Sequence, residues 1–208
     1  VAVNLVDRVF DNPVAFTSLE VFVGLYGYTL QIYCDFSGYT DIARGSARLL
    51  GFSVPENFNR PYMATSPADF WRRWHMTLSS WLRDYLYYPL GGSRSGPARA
   101  YFNLWITMFL IGMWHGANWT FVLYGIVHAT AMVLHRFAHR ISGRTKETVD
   151  PTWKRTLKIL ACLNFVVLAR ILFRGTDIDN AWAVARQLFA GSTSLAQVSP
   201  AVWGALIA

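Results

Sequence analysis

The sequence predicts an all-α protein integral to a membrane, on three observations. Only 15% of the 208 residues are charged while 53% are hydrophobic, against about 25% charged in ordinary soluble domains. Apolar runs of near-spanning length recur at 16–34, 100–134 and 157–173. The basic residues gather between those runs, which in a membrane chain marks cytoplasmic loops. The net charge of +7 is therefore not read as a nucleic-acid surface. Cys34 and Cys162 both lie in apolar runs, and two cysteines alone make neither a disulfide framework nor a zinc site.

Taken in order, Phe16–Cys34 is interrupted only by Glu20 and Gln31. At 1.5 Å per residue it measures about 28 Å, close to the hydrocarbon thickness. Residues 35–100 hold eight of the sixteen arginines and read as a polar, amphipathic region. Ala100–Leu134 is split at Trp114–Asn118 into arms of about 14 and 17 residues, each short for a straight span. Arg136–Lys158 carries seven basic residues against two acids and is expected in the cytoplasm, with Ile141–Pro151 as its linker. The run from Leu157 then exits, and Arg174–Pro200 faces outside. There Asp177 or Thr176 caps a short helix with an interfacial face of Trp182, Ala185, Leu188 and Phe189.

Ser66-Pro67-Ala68-Asp69 is a helix start with Ser at the N-cap, Pro at N1 and Asp at N3. The spacing predicts one helix from there to near Tyr88, before Pro89 and Gly91-Gly92. At 100° per residue its Trp71, Trp74, His75, Leu78, Trp81, Leu82, Tyr85 and Leu86 share an arc of about 140°. Arg72, Arg73 and Arg83 lie outside it, as in helices that lie at an interface. His75 thus falls on the apolar face. It is either a core histidine satisfied by one hydrogen bond or a residue lining a polar cavity at membrane depth.

The stretch Leu110–Thr120 is the least ordinary in the chain. His115, Asn118, Gly112 and Gly116 interrupt a block otherwise suited to spanning. Non-helical backbone survives at that depth only where protein buries it or where it lines a wet cavity. Gly112 and Gly116 form a small-xxx-small pair that invites another backbone. His115 is then a packing-motif histidine, a proton relay, or a base for a hydroxyl, since an imidazole titrates near working pH.

Other groups carry less. His128, His135 and His139 fall roughly on one helical face, and the reading is of solvated or headgroup-facing rings rather than a metal site. Asp35 and Asp41 are expected to orient Arg44 and Arg48, which alternatively meet headgroups or a phosphate. There is no P-loop, dinucleotide fingerprint or serine-hydrolase elbow.

Four segments then stand together: Tyr33–Asp41 (YCDFSGYTD), Pro55–Tyr62 (PENFNRPY), Phe70–Gly92 (FWRRWHMTLSSWLRDYLYYPLGG) and Gly112–Trp119 (GMWHGANW). Jointly they resemble the membrane-bound O-acyltransferases, in the bacterial branch of alginate O-acetylase and the D-alanyl-lipoteichoic acid transferase. The likeness covers about residues 16–175 and is nearest to the alginate O-acetylase-like members. It implies a multi-helix bundle with a central funnel, a broken or re-entrant hairpin and interfacial amphipathic helices. His115 matches the family's near-invariant histidine and His75 its second. The resemblance also implies that the 208 residues are the C-terminal part of one such domain. Family members have further N-terminal helices, and Ser199–Ala208 reads as a transmembrane helix cut after its second turn.

The implied chemistry is transfer of acetyl from a cytoplasmic donor to hydroxyls of an extracytoplasmic polysaccharide, alginate-like or a cell-wall glycan. His115 would act as base or orient the hydroxyl. His75 would bind or polarise the acyl carbonyl, or set the tautomer of His115. Asn118 and Trp114 are oxyanion-donor candidates by proximity. No resident cofactor or metal is expected; the donor, acetyl-CoA or an acyl-carrier thioester, is a co-substrate. Partners are the lipid bilayer of the bacterial inner membrane, the polysaccharide and periplasmic acetylation proteins. The alternatives are D-alanyl transfer to teichoic acid, or a non-enzymatic transporter or scaffold.

Overall fold

A computed structural model describes residues 2–142 and 150–207. The described residues are helical with no strand. The helices are α1 (Asp7–Asp11), α2 (Ser18–Leu49), α3 (Pro67–Trp71), α4 (Met76–Leu82), α5 (Pro97–Trp114), α6 (Trp119–Ile141), α7 (Thr152–Arg174), α8 (Ile178–Leu188) and α9 (Pro200–Ile207). Two of them, α6 and α7, are long and apolar enough to cross a membrane. The chain divides into two compact units, residues 1–41 with 166–208, and residues 42–165. Much of the basic linker expected between the second and third apolar runs, residues 143–149, lies outside the described residues.

The unit of residues 42–165 is built on the α5–α6 hairpin. The two arms are longer than the apolar runs alone indicate, at 18 and 23 residues, because each helix continues into its polar flank. They meet through glycine. A β-carbon on Gly112 would stand 2.6 Å from both the Gly125 amide nitrogen and the Phe121 carbonyl oxygen, so only hydrogen fits there. The close approach is therefore between Gly112 and Gly125. The second member of the expected pair, Gly116, instead lies under the Phe121 ring, 2.8 Å from where its β-carbon would be.

Two expectations need correction. The span at 16–34 is not a separate segment: α2 runs without a break to Leu49, carrying Asp35 and Asp41 on its surface. The helix predicted over 66–88 starts as expected, with Ser66 Oγ accepting the Asp69 N–H at 3.1 Å, but stops at Trp71. The N–H groups of Arg73 and Trp74 both turn to the Phe70 carbonyl. His75 is left-handed (φ 46°, ψ 55°), and helix resumes at Met76, ending in a π-helical turn at Arg83–Tyr87.

In the other unit, Glu20 is no flaw in an apolar run. Its carboxylate accepts the N–H of Thr17 at 2.9 Å while its own N–H donates to Thr17 Oγ1 at 3.2 Å, a reciprocal capping box at the start of α2. The Gln197 N–H donates to the second carboxylate oxygen at 2.7 Å. Asp177, not Thr176, caps α8 by accepting the Asn180 N–H at 2.8 Å. Ala181 and Val184 of α8 are buried, whereas Trp182 and Phe189 of the expected interfacial face point outward.

Candidate active site

His75 owes its place to the segment before it. The Asn57 carbonyl accepts the Met76 N–H at 3.0 Å, and the Arg73 carbonyl accepts the Asn59 N–H at 2.9 Å. Asn57 Oδ1 then takes the Thr77 hydroxyl at 2.7 Å, the Thr77 N–H at 3.3 Å and His75 Nδ1 at 3.3 Å. Phe58, Tyr62 and Phe70 pack their rings on Trp74. A left-handed non-glycine residue costs about 1–2 kcal/mol, and such strain persists where surrounding contacts over-determine it. His75 is accordingly not one position along an amphipathic face. It is the pivot of a clasp between residues 57–62 and 70–77.

His115 follows α5 directly, where the chain turns through Gly116 and Ala117. Asn118 ends the turn as N-cap of α6, its Oδ1 accepting the Thr120 N–H at 3.1 Å. That commits the side-chain oxygen to the cap and leaves Nδ2 as the only side-chain donor for an oxyanion. Trp114 unites the two histidines, its ring centroid 6.0 Å from that of His75 and 5.1 Å from that of His115. The rings of Phe121 and Tyr124 also lie near His115, with centroids at 6.1 and 6.3 Å. The fold thus gathers His75, Trp114 and His115 at one place, with Asn118 three residues on, turned to the cap of α6.

His128 corrects the reading of a solvated ring. It is 1% exposed. Its Nδ1 accepts the indole N–H of buried Trp71 at 3.2 Å, and its ring meets Tyr124 at a tilt, centroids 4.4 Å apart, and Phe165 edge-on at 5.1 Å. Tyr124 contacts both His115 and His128, so the buried histidine stands behind the site. His135 and His139 lie a turn apart with ring centroids 6.3 Å apart. Among the described residues no three His, Cys, Asp or Glu side chains gather as a metal site. Arg44 pairs with Glu56, a partner the sequence reading did not name.

A cavity of about 510 Å³ opens between α3, α4, α5 and α6. Its walls are apolar, from Leu82, Met108, Ile111 and Met132, and it reaches Met76, the neighbour of His75. Arg72, Arg83 and Arg136 border it. Arg136 is held by Tyr87 Oη at 3.1 Å and Ser93 Oγ at 3.0 Å, hydroxyls that also bond each other at 2.8 Å. An apolar slot with guanidinium groups at its border accommodates a chain ending in an anionic group.

Sequence reasoning did not single out Asn57, Trp71, Tyr124 or His128 as supports of the site. Asn57 lies in one of the four family-like segments but carries no local signal of its own. Tyr124 and His128 are spaced i, i+4 on an apolar helix, the one hint that they share a face.

The described residues thus hold two histidines at helix breaks beside one indole, together with two helices long and apolar enough to cross a membrane. The chain belongs to the membrane-bound O-acyltransferase family, whose pattern it matches over residues 8–172. It is 42% identical over 186 residues to the probable alginate O-acetylase AlgI of Azotobacter vinelandii, covering 89% of this chain and 36% of that protein. The peptidoglycan O-acetyltransferase of Helicobacter pylori is 37% identical over 181 residues, covering 87% of this chain and 34% of the relative. The teichoic acid D-alanyltransferase of Bacillus subtilis is 32% identical over 163 residues, covering 75% and 41%. The chain spans about a third of the length of the first two.

Proposed function

We propose that this chain forms the active-site part of a multi-pass inner-membrane O-acyltransferase. The enzyme transfers acetyl from a cytoplasmic thioester to hydroxyls of an extracytoplasmic polysaccharide. The observation that carries this reading is the convergence of His75 and His115 on Trp114, each histidine at a break in helix. The remaining family helices would complete a funnel around it, with the α5–α6 turn as its re-entrant element.

The donor, acetyl-CoA or an acyl-carrier thioester, lies with its chain in the apolar cavity and its phosphate toward Arg136 and Arg72. The acceptor hydroxyl oxygen attacks the thioester carbon while His115 takes the hydroxyl proton. The tetrahedral oxyanion meets donors such as the Trp114 indole N–H, Asn118 Nδ2 or main-chain N–H groups at the turn. Collapse breaks the carbon–sulfur bond, the thiolate recovers the proton from His115, and an ester and a free thiol remain. Exclusion of water by the apolar walls suppresses hydrolysis of the thioester. The polysaccharide is reached through periplasmic acetylation partner proteins.

The likeness to a teichoic acid D-alanyltransferase supports D-alanyl transfer as the second reading. The test is ester-linked acetate on exported polysaccharide in cells carrying the full-length protein, wild type or His115→Ala, with membrane abundance measured for both. Loss of acetate at equal abundance is the expected result. Unchanged acetate redirects the assay to D-alanine and peptidoglycan esters. Indifference of all three to His115 leaves a transporter or scaffold.

A further inference from the structure

The clasp around His75 fixes more than the backbone. An imidazole and an amide can each present either of two faces, and their assignment comes from partners whose roles cannot change. Here that partner is the Thr77 main-chain N–H, always a donor, which points at the Asn57 side-chain atom at 3.3 Å. The atom is therefore the amide oxygen, consistent with the Thr77 hydroxyl at 2.7 Å. An amide oxygen only accepts, so His75 Nδ1, 3.3 Å away, carries the hydrogen. In the neutral ring Nε2 is then the acceptor nitrogen.

We propose that Asn57 is a positioning residue that holds His75 in its Nδ1–H tautomer, so that His75 Nε2 accepts a hydrogen bond from the acceptor hydroxyl rather than donating one to the acyl carbonyl. This rests on the acyltransferase reading of the site, and it replaces the carbonyl-polarising role that the family likeness offers for His75 with one of orienting the hydroxyl. His75 orients the hydroxyl, His115 removes its proton, and oxyanion stabilisation falls to the donors near Trp114. Asn57 holds the turn at two points, its side chain on His75 Nδ1 and its carbonyl on the Met76 N–H, so it sets the left-handed backbone and the tautomer together.

The role has a pH signature. Protonated His75 has no acceptor nitrogen, so activity falls on the acid side as the ring gains its second proton. The charged and titratable groups on segments around it are Glu56 and Arg60 beside Asn57, Asp69, Arg72 and Arg73 on the preceding turn, and His115 across Trp114. Glu56 is paired with Arg44, and Asp69 with Arg73. Asn57→Asp keeps every acceptor contact but sets a carboxylate on Nδ1–H, which favours the doubly protonated ring.

The experiment feeds labelled acetate to cells carrying the full-length protein and follows ester-linked label on exported polysaccharide, in buffers from about pH 5 to about pH 9. Asn57→Ala is expected to lower the maximal rate about tenfold or more at equal membrane abundance. Asn57→Asp is expected to stay active near its optimum, with the acid limb moved up by about one pH unit. This second variant decides the matter where Asn57→Ala fails to accumulate, because a merely structural contact leaves the pH limb in place. An unmoved limb in Asn57→Asp overturns the proposal, provided His115→Ala is inactive in the same assay. An active His115→Ala overturns the underlying reading instead, and the proposal with it.

Discussion

Trp71 donates its indole N–H to Nδ1 of His128 across 3.2 Å in a fully enclosed setting, tying the wall of the cavity to the back of the histidine site. Removing either partner strands a buried polar atom. Trp71→Phe and His128→Phe are each expected to lower the thermal midpoint of the detergent-purified protein, at a cost of about 1–3 kcal/mol. The double variant should recover part of that sum, with a coupling of about 1 kcal/mol. Strict additivity would mean that the bond contributes nothing.

Alanine normally strengthens a helix relative to glycine, but the crossing of α5 and α6 reverses that sign. Gly112→Ala and Gly125→Ala each force main chains apart, since the new β-carbon of either lies within 2.6 Å of backbone atoms of the other helix. Each should destabilise the protein by about 1–3 kcal/mol. Gly38→Ala and Gly45→Ala, where nothing lies within 4 Å, should be neutral or slightly stabilising. A thermal-shift series over the four variants checks the contrast.

Asp69 sets an acid limit on the clasp. Burial pushes its carboxyl up, but the Arg73 hydrogen bond and charge, the Thr65 N–H and the charge of Arg72 outweigh that and leave it below its ordinary value of 3.8. A carboxyl held lower in the folded state stabilises the fold fully above the unfolded value. That contribution fades as pH falls from there through the folded value. Unfolding midpoints measured from about pH 6 down to about pH 3 should therefore converge for wild type and Asp69→Asn, wild type being the more stable at the upper end.

The proposed placement of the donor makes Arg136 a test that separates donor binding from chemistry. Arg136→Ala removes a guanidinium at the border of the cavity without touching His75 or His115. It should raise the donor concentration needed for half-maximal acetylation several-fold while sparing the maximal rate. Lysine should rescue it poorly, because one ammonium cannot reproduce the fork that holds Tyr87 and Ser93. Initial rates in inverted membrane vesicles against labelled acetyl-CoA measure both parameters.

The helical class, the N-cap at Ser66 and the two histidines were legible because each leaves a local mark: composition, a capping sequence, a polar residue in an apolar run. The break at His75 was not. Residues 66–88 keep a helical apolar period straight through it, and the helix yields because Asn57, eighteen residues earlier, offers His75 and Met76 better partners than helix does. His128 misled for the opposite reason. Its spacing to His135 and His139 proposes a common face, yet the depth of one ring depends on Trp71 and Phe165, which sequence distance hides. Long-range partners decided both cases.

The glycine contact between α5 and α6 also bears on how steadily His115 is held. Gly112 stands three residues before His115, about 4.5 Å along the axis at 1.5 Å per residue. A crossing point so near the end of a helix works as a fulcrum with a short lever. Rocking of α5 on α6 by about 10° would carry the His115 backbone only about 0.8 Å. The same rocking would sweep the opposite end of α5, at Pro97, through an arc several times larger, because that end lies about 22 Å from the pivot.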